Sequence, residues 1–487
     1  MGKKLVFGLL ALGMLASCSK ENYPDVPEEI ADVPVMITAN TGNLVTVTRG
    51  SGVVGGVEGI DANNNWNGQS LFLYGFLREG TTGRTADMVK ENALRGIFNK
   101  KALAPTGTGK GNVTWDDGNT VYYPRNGAYD FFGYHVDDAN TSADPSYEET
   151  ADGVAPGVKE TIWSIPVKID GSQDLMIAKA ILTSQDSLVL AKSLKGDNTY
   201  VKPANGYEND PDYDKMVTEW NKAFSSYTAR KIDNTDPNKN GIQPTMKFKH
   251  MLTRLRFFVK GVPNVTGSDE VYIRSVKVKS KNTGKLVFAY KAEQNAGLKW
   301  DSNGEVQLSL KELPADGSKM LTDLNKGIVE HDLKAYPKKD DLLNALQSGG
   351  VDGKTTVEEL FGKYHSVGNK AKQIGESLML NAEVESYELE VEVMQYYDGQ
   401  SSLLVPPTDK GQYYTWKDPR WWKYPITVKA SDIKKNGTSA GITRFAPGNS
   451  YDVTILVNGY QSIDITASLG AWIDGGSVDY NPDDNDF

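Results

Sequence analysis

Few residues in this chain of 487 have the type and spacing that chemistry requires. Its four histidines, His135, His250, His331 and His365, lie far apart, without metal-ligand spacing. A single cysteine, Cys18, excludes both paired-cysteine metal sites and a disulfide framework. There is no Gly-x-Ser-x-Gly elbow and no Ser/His/Asp arrangement, and Gly107-Thr-Gly109-Lys110 lacks the leading spacing and the hydroxyl of a phosphate loop. Asp236, Asn238, Asn240 and Gly241 copy the opening of a calcium loop, but position twelve is Lys247 where a bidentate glutamate is needed. That stretch reads as an Asx-rich turn. His250 stands among apolar neighbours and reads as a hydrogen-bonded structural histidine. Carboxylate pairs for glycoside hydrolysis are placed by a fold and leave no sequence spacing to find. The expectation is therefore a non-enzyme with no catalytic residue, no metal and no cofactor.

Cys18 has a more specific setting. Lys3 and Lys4 precede an apolar run from Leu5 to Leu15, too short to span a bilayer as a mature helix. Leu15-Ala16-Ser17-Cys18 then resembles a bacterial lipobox, at which the signal peptide is removed and the cysteine acylated, with palmitate among the chains such a site carries. Residues 1–18 are read as the signal peptide and lipobox, and the acidic, proline-containing residues 19–32 as a tether. The mature chain would therefore hang from the membrane by lipid alone.

A second group is aromatic. Tyr413, Tyr414, Trp416, Trp421, Trp422 and Tyr424 fall within twelve residues, with Arg420 among them. If exposed, such rings stack on sugars or anchor a protein partner; if alternate rings face inward, they fill a core. The net charge of −10, from 53 basic and 63 acidic residues, disfavours nucleic acid and anionic lipid as partners.

The elements that must position these groups are mostly strands. Glycine is abundant, with 48 residues against 39 % hydrophobic content, which fits a loop-rich β protein. Period-two runs punctuated by Gly, Pro, Asn and Asp predict strands at 33–37, 45–47, 71–76, 121–123, 129–134, 162–169, 174–181, 248–259 and 271–279. Others are predicted at 285–290, 306–310, 378–397, 426–430, 451–457 and 462–469. The absence of strand–helix alternation favours antiparallel sandwiches. Helices are expected at 211–229, with Asp210 as N-cap, at 341–346, and at 357–364 behind a Thr355…Glu358 capping box. Residues 51–68 and 138–157 read as surface loops and 231–244 as a linker. Lys277, Lys279 and Lys281 alternate with valines, as Glu388, Glu390 and Glu392 alternate with aliphatics. They are either cross-strand neighbours or two separately solvated faces.

Four patterns taken in order resemble the fimbrillin family, the type V pilus subunits of Gram-negative anaerobes. They are Tyr123-Pro-Arg-Asn-Gly-Ala-Tyr-Asp-Phe-Phe-Gly-Tyr134, Gln173-Asp-Leu-Met-Ile-Ala178, Phe248-Lys-His-Met-Leu-Thr-Arg-Leu-Arg-Phe257, and Pro447-Gly-Asn-Ser-Tyr-Asp-Val-Thr-Ile-Leu-Val457 with Trp472-Ile-Asp-Gly-Gly476. The resemblance covers about residues 120–476, while 180–245 and 310–375 match nothing in the family and are read as insertions. It implies an all-β fold of two transthyretin-like antiparallel β-sandwich domains with a few short helices in insertions, at 33–244 and 245–487, joined near the Phe248 strand. It also implies a fimbrial subunit or fimbrillin-like adhesin, exported as a lipoprotein, trimmed by an arginine-specific protease, and joined to other subunits by strand addition. Arg49, followed by Gly50, stands where that cleavage would belong, with Arg78 and Arg84 as further exposed candidates; the plainer reading of Arg49 is a strand end. The alternative function is a tethered module that binds a host or microbial surface glycan or protein and never polymerises.

Overall fold

A computed structural model describes residues 33–40, 69–79, 85–105, 111–137, 144–150, 159–230, 241–261, 271–311, 339–351, 353–356, 359, 370–395, 422–435, 438–457 and 463–470. The fold is all-β, as expected, with four sheets and a few short helices among the described residues. The largest sheet runs in the order Gly111–Asn112, Thr38–Asn40, Thr245–Lys247, Leu175–Ile181, Tyr129–Val136, Ser70–Leu77, Lys100–Leu103, Thr114–Trp115, with Lys249–His250 also pairing on Leu175–Ile181. Its central strands are buried on both faces, which explains why Leu71-Phe-Leu-Tyr-Gly-Phe76 is an unbroken apolar run rather than an alternating one. Tyr74, Phe76, Phe132 and Tyr134 face a four-stranded sheet that carries Trp163, Ile165 and Phe288. Leu71, Leu73, Phe131 and Met176 face the other way, into a second core with α1 (Ser184–Lys195) and α2 (Tyr213–Trp220).

The remaining two sheets form a sandwich. One contains Lys372–Asn381, Leu252–Gly261, Ser450–Val457 and Ile463–Gly470; the other contains Val306–Ser309, Val271–Ser280, Ser386–Gln395 and Trp422–Lys429. Leu255, Phe257, Val453 and Ile455 pack with Val276, Val278, Leu389 and Val391 in a common core. Strands from before and after position 245 mix: Glu160–Lys168 pairs with Thr283–Ala289, and Thr245–Lys247 belongs to the first sheet.

The lysine and glutamate faces are cross-strand neighbours. Lys277 lies opposite Glu390 with Nζ 3.8 Å from its carboxylate, and Lys279 reaches Glu388 at 2.6 Å. Glu392 departs from the pattern, because it is buried and accepts from the Ser275 hydroxyl at 3.1 Å.

Several expectations are corrected. The helix over 211–229 is only Tyr213–Trp220, since Phe224 takes φ +59° and turns its ring into the core. Asp210 is not its N-cap; that carboxylate instead accepts from Lys195 and the Tyr200 hydroxyl. Helix α1 lies where no helix is expected, its start fixed by a reciprocal capping box between Thr183 and Asp186 in the insertion. Within the expected 138–157 loop, Ser146–Thr150 is a strand. The 378–397 run is two strands, broken at Glu383 with φ +63°. The third helix, α3 (Lys339–Ser348), extends the predicted 341–346 at both ends. Thr356 and Glu359 cap each other and Thr355 also donates to the Glu359 carboxylate, while Glu358 of the expected box lies outside the described residues. The predicted strand at 45–47, the loop at 51–68 and most of the 357–364 helix lie outside the described residues.

Candidate functional site

The site begins with eight residues, Val33-Pro-Val-Met-Ile-Thr-Ala-Asn40, placed between the acidic tether and Arg49 in sequence. Pro34 forces its predecessor toward extended backbone, and Val35 and Ile37 favour the same region. Alternation then sends Val33, Val35, Ile37 and Ala39 into the core shared with the helices, at 9 %, 2 %, 1 % and 0 % exposure. Met36 faces out at 37 %. At roughly 1.5–3 kcal/mol for each fully buried Val or Ile side chain, the three larger residues contribute about 6 kcal/mol.

This segment is not at the sheet edge. On one side Thr38, Ala39 and Asn40 pair in parallel with Thr245, Met246 and Lys247. On the other, Thr38 and Ala39 pair with Asn112 and Gly111, and Val113 N–H donates to the Ile37 carbonyl at 2.9 Å. Upstream, Val35 N–H donates to the Val121 carbonyl at 2.8 Å and Tyr123 N–H to that of Val33 at 2.9 Å. The predicted 121–123 strand thus serves the slot as an isolated bridge instead of a full strand. On the 245 side, Thr38 N–H donates to the Pro244 carbonyl at 3.0 Å. Beyond that point the Gln243 carboxamide takes over, with Oε1 accepting from Met36 N–H and Nε2 donating to the Pro34 carbonyl, both at 3.2 Å. Tyr123 donates its hydroxyl to the same Oε1 at 3.4 Å.

The wall holding Gln243 is fixed by its neighbours. Ile242 is buried and donates its N–H to the Thr228 carbonyl at 2.9 Å. Gly241 takes φ +79°, and a Cβ there would stand 1.7 Å from the Ala229 carbonyl oxygen, so only glycine permits this approach. Gln243 and Asn112 carry no recognisable sequence signal, and Tyr123 stands out only as the start of a family-like pattern: what makes all three functional candidates is the backbone they face.

Cys18, Arg49, Gly50, Arg84, Tyr413, Tyr414, Trp416 and Trp421 lie outside the described residues. Trp422 opens a strand with its backbone opposite Val393. Arg78 is not an exposed cleavage candidate. Its guanidinium is buried against Asp130, and it also donates to the carbonyls of Trp220 and Asn221. Burial opposes the charged form of Asp130, but the Arg78 charge and hydrogen bond, with the Thr85 hydroxyl at 2.7 Å, hold the carboxyl below its ordinary value.

A second polar group lies where the two cores meet. His250 is the buried, hydrogen-bonded histidine expected, with Nδ1 2.5 Å from Asp174. The predicted 248–259 strand is split at Met251, which donates its N–H to the Leu175 carbonyl at 2.8 Å, so one run serves two sheets. Arg254 donates to the Ser450 hydroxyl at 3.0 Å, and burial pushes its guanidinium down to about 9, still charged at neutral pH. Arg256 makes a two-pronged contact with Asp452 at 2.7 and 2.8 Å. Asp174, Ser450 and Asp452 hold these three side chains within the fold, which makes this a structural joint. Among the described residues no group of three or more His, Cys, Asp or Glu could hold a metal ion, and no helix is long and apolar enough to cross a membrane.

No family model and no curated protein sequence matches the chain. Solved structures do. A candidate cell adhesion protein from Bacteroides uniformis is 12 % identical, with 90 % of this chain and 98 % of that one covered at a TM-score of 0.37. A candidate adhesin from Bacteroides thetaiotaomicron is 10 % identical, covering 90 % and 97 % at 0.30. The fimbrial anchor protein of Porphyromonas gingivalis is 9 % identical, covering 89 % and 97 % at 0.26.

Proposed function

We propose that this chain is a non-enzymatic fimbrial subunit or fimbrillin-like surface adhesin, exported as a lipoprotein acylated at Cys18 and held on the outer membrane. In this reading residues 33–40 are a provisional strand. Cleavage between Arg49 and Gly50 detaches them from the rest of the chain, and an extended segment of another fimbrial subunit takes their place. The division into an N-terminal unit over 33–244 and a C-terminal unit over 245–487 belongs to the same proposal.

One observation carries it: Thr38 and Ala39, at the far end of the segment next to the tether, pair with a strand on each side instead of lying at an edge. Its removal would leave backbone donors and acceptors unpaired on both sides of an apolar trough, a state that favours capture of a new strand. Its function therefore resides in backbone pairing and groove filling.

The test is treatment of the purified full-length chain with an arginine-specific protease, followed by amino-terminal sequencing and sizing. A new terminus at Gly50 together with ladders of multimers is expected. Trimmed protein that stays monomeric at high concentration overturns the assembly claim. A mature terminus at acylated Cys18, on cells that display the protein without multimers, overturns the processing claim.

A further inference from the structure

Resting on that reading, we propose that Gln243 is a positioning residue that grips the exchangeable strand by its backbone, and thereby sets which segments can enter the slot. The Gln243 carboxamide presents one C=O and one N–H, as a peptide group does, and spends them on Met36 N–H and the Pro34 carbonyl. A main-chain donor is not available at this point. Pro244 has no N–H, and the N–H of Ile242 is committed to Thr228. The side chain therefore extends the ladder by one step beyond Thr38, where the wall turns away to bury Ile242. The Tyr123 hydroxyl, donating to the same Oε1, steadies the carboxamide orientation.

A clasp of this kind reads no side chain. It requires an N–H at the position of Met36 and a carbonyl two residues earlier. Added to the donors at Val35 and Thr38, it yields a rule for the incoming strand. Aliphatic residues must stand at the positions of Val33, Val35 and Ile37, with a small one at Ala39, because those faces are buried. Proline is refused at the positions of Val35, Met36 and Thr38. It is accepted at that of Pro34, as this chain's own segment demonstrates, since only the carbonyl there is bonded. The partner is thus an extended aliphatic segment of a neighbouring subunit, selected by where it lacks proline.

The test uses the full-length chain with an engineered protease site after Gly50, so that nicking does not depend on natural processing. The nicked protein is challenged with a fluorescent peptide of residues 30–42 and with a depsipeptide whose Val35–Met36 amide is an ester. Loss of one hydrogen bond is expected to weaken wild-type binding up to about tenfold. In Gln243→Ala, which loses both hydrogen bonds, both ligands bind up to about a hundredfold more weakly than the amide binds wild type, and the ester costs nothing further. Gln243→Glu, which keeps the acceptor and loses the donor, remains sensitive to the ester. An ester penalty equal in wild type and Gln243→Ala overturns the clasp. Should no peptide enter the nicked protein, strand exchange itself fails. The clasp is then decided by amide hydrogen exchange at Met36 in the intact chain. Faster exchange in Gln243→Ala but not in Gln243→Glu supports it, and exchange unchanged in Gln243→Ala overturns it.

Discussion

Replacing Val35 and Ile37 together by alanine tests whether residues 33–40 form a separately removable element. Both side chains are at most 2 % exposed in the core shared with α1 and α2. The double change deletes five carbon groups, and at about 0.8 kcal/mol each the lost transfer energy is about 4 kcal/mol before any cavity term. If the strand opens alone, this loss raises its open population by about three decades, since each 1.4 kcal/mol is tenfold. Hydrogen exchange reads the effect amide by amide. The N–H groups of Val35 and Thr38 lie on the strand, and those of Val113 and Tyr123 donate into it. All four should exchange about a thousandfold faster in the variant. Arg254 N–H, bonded to the Asn449 carbonyl in the distant sandwich, should keep its wild-type rate. Two results would refute the reasoning. If the four amides do not move, the strand is not held by its apolar face; if Arg254 accelerates with them, it is not a separate unit and cannot be exchanged without unfolding the rest.

Asp130→Ala leaves the Arg78 guanidinium buried without its carboxylate, so a loss of about 3 kcal/mol is expected in chemical denaturation. Because the folded carboxyl sits below its ordinary value, Asp130 contributes stability that is present above about pH 4 and lost as pH falls through the lowered folded value. The variant's acid limb should be correspondingly flatter, and an identical limb would contradict the pairing. Lys277→Glu sets two carboxylates opposite each other at Glu390, costing about 0.5–1 kcal/mol, and the swap Lys277→Glu with Glu390→Lys should recover most of it in a double-mutant cycle. Gly241→Ala drives a methyl into the Ala229 carbonyl at a φ of +79°, and should lower the melting temperature and speed exchange at Met36 by displacing Gln243. A variant that melts like wild type would show that the 241–243 turn relaxes freely.

What the sequence made legible, and what it hid, follows from the range of the interactions. Period-two burial is local, so Val33, Val35 and Ile37 could be assigned an inward face before any partner strand was known. The Lys277 and Lys279 run could be matched to Glu388 and Glu390 because a pleated strand fixes which side chains share a face, leaving only the pairing to be found. The helix at 211–229 was overextended for the complementary reason. Its three-and-four spacing is real through Trp220, but Phe224 gains more from entering the core than from continuing the helix, and that choice depends on α1 and the Tyr129–Val136 strand. Arg78 misled in the same way, since an arginine beside glycine-rich sequence reads as exposed until Asp130, fifty-two positions away, is brought beneath it. The slot lies furthest from sequence reach. Its walls come from residues 111–123 and 241–247, and its clasp is a glutamine whose only distinction is the backbone across from it. Recognition that ignores side chains constrains the recognised segment to aliphatic alternation and permitted proline positions, and it constrains the wall to one carboxamide at the right height. The first constraint can be searched for in a sequence; the second has to be seen in the fold.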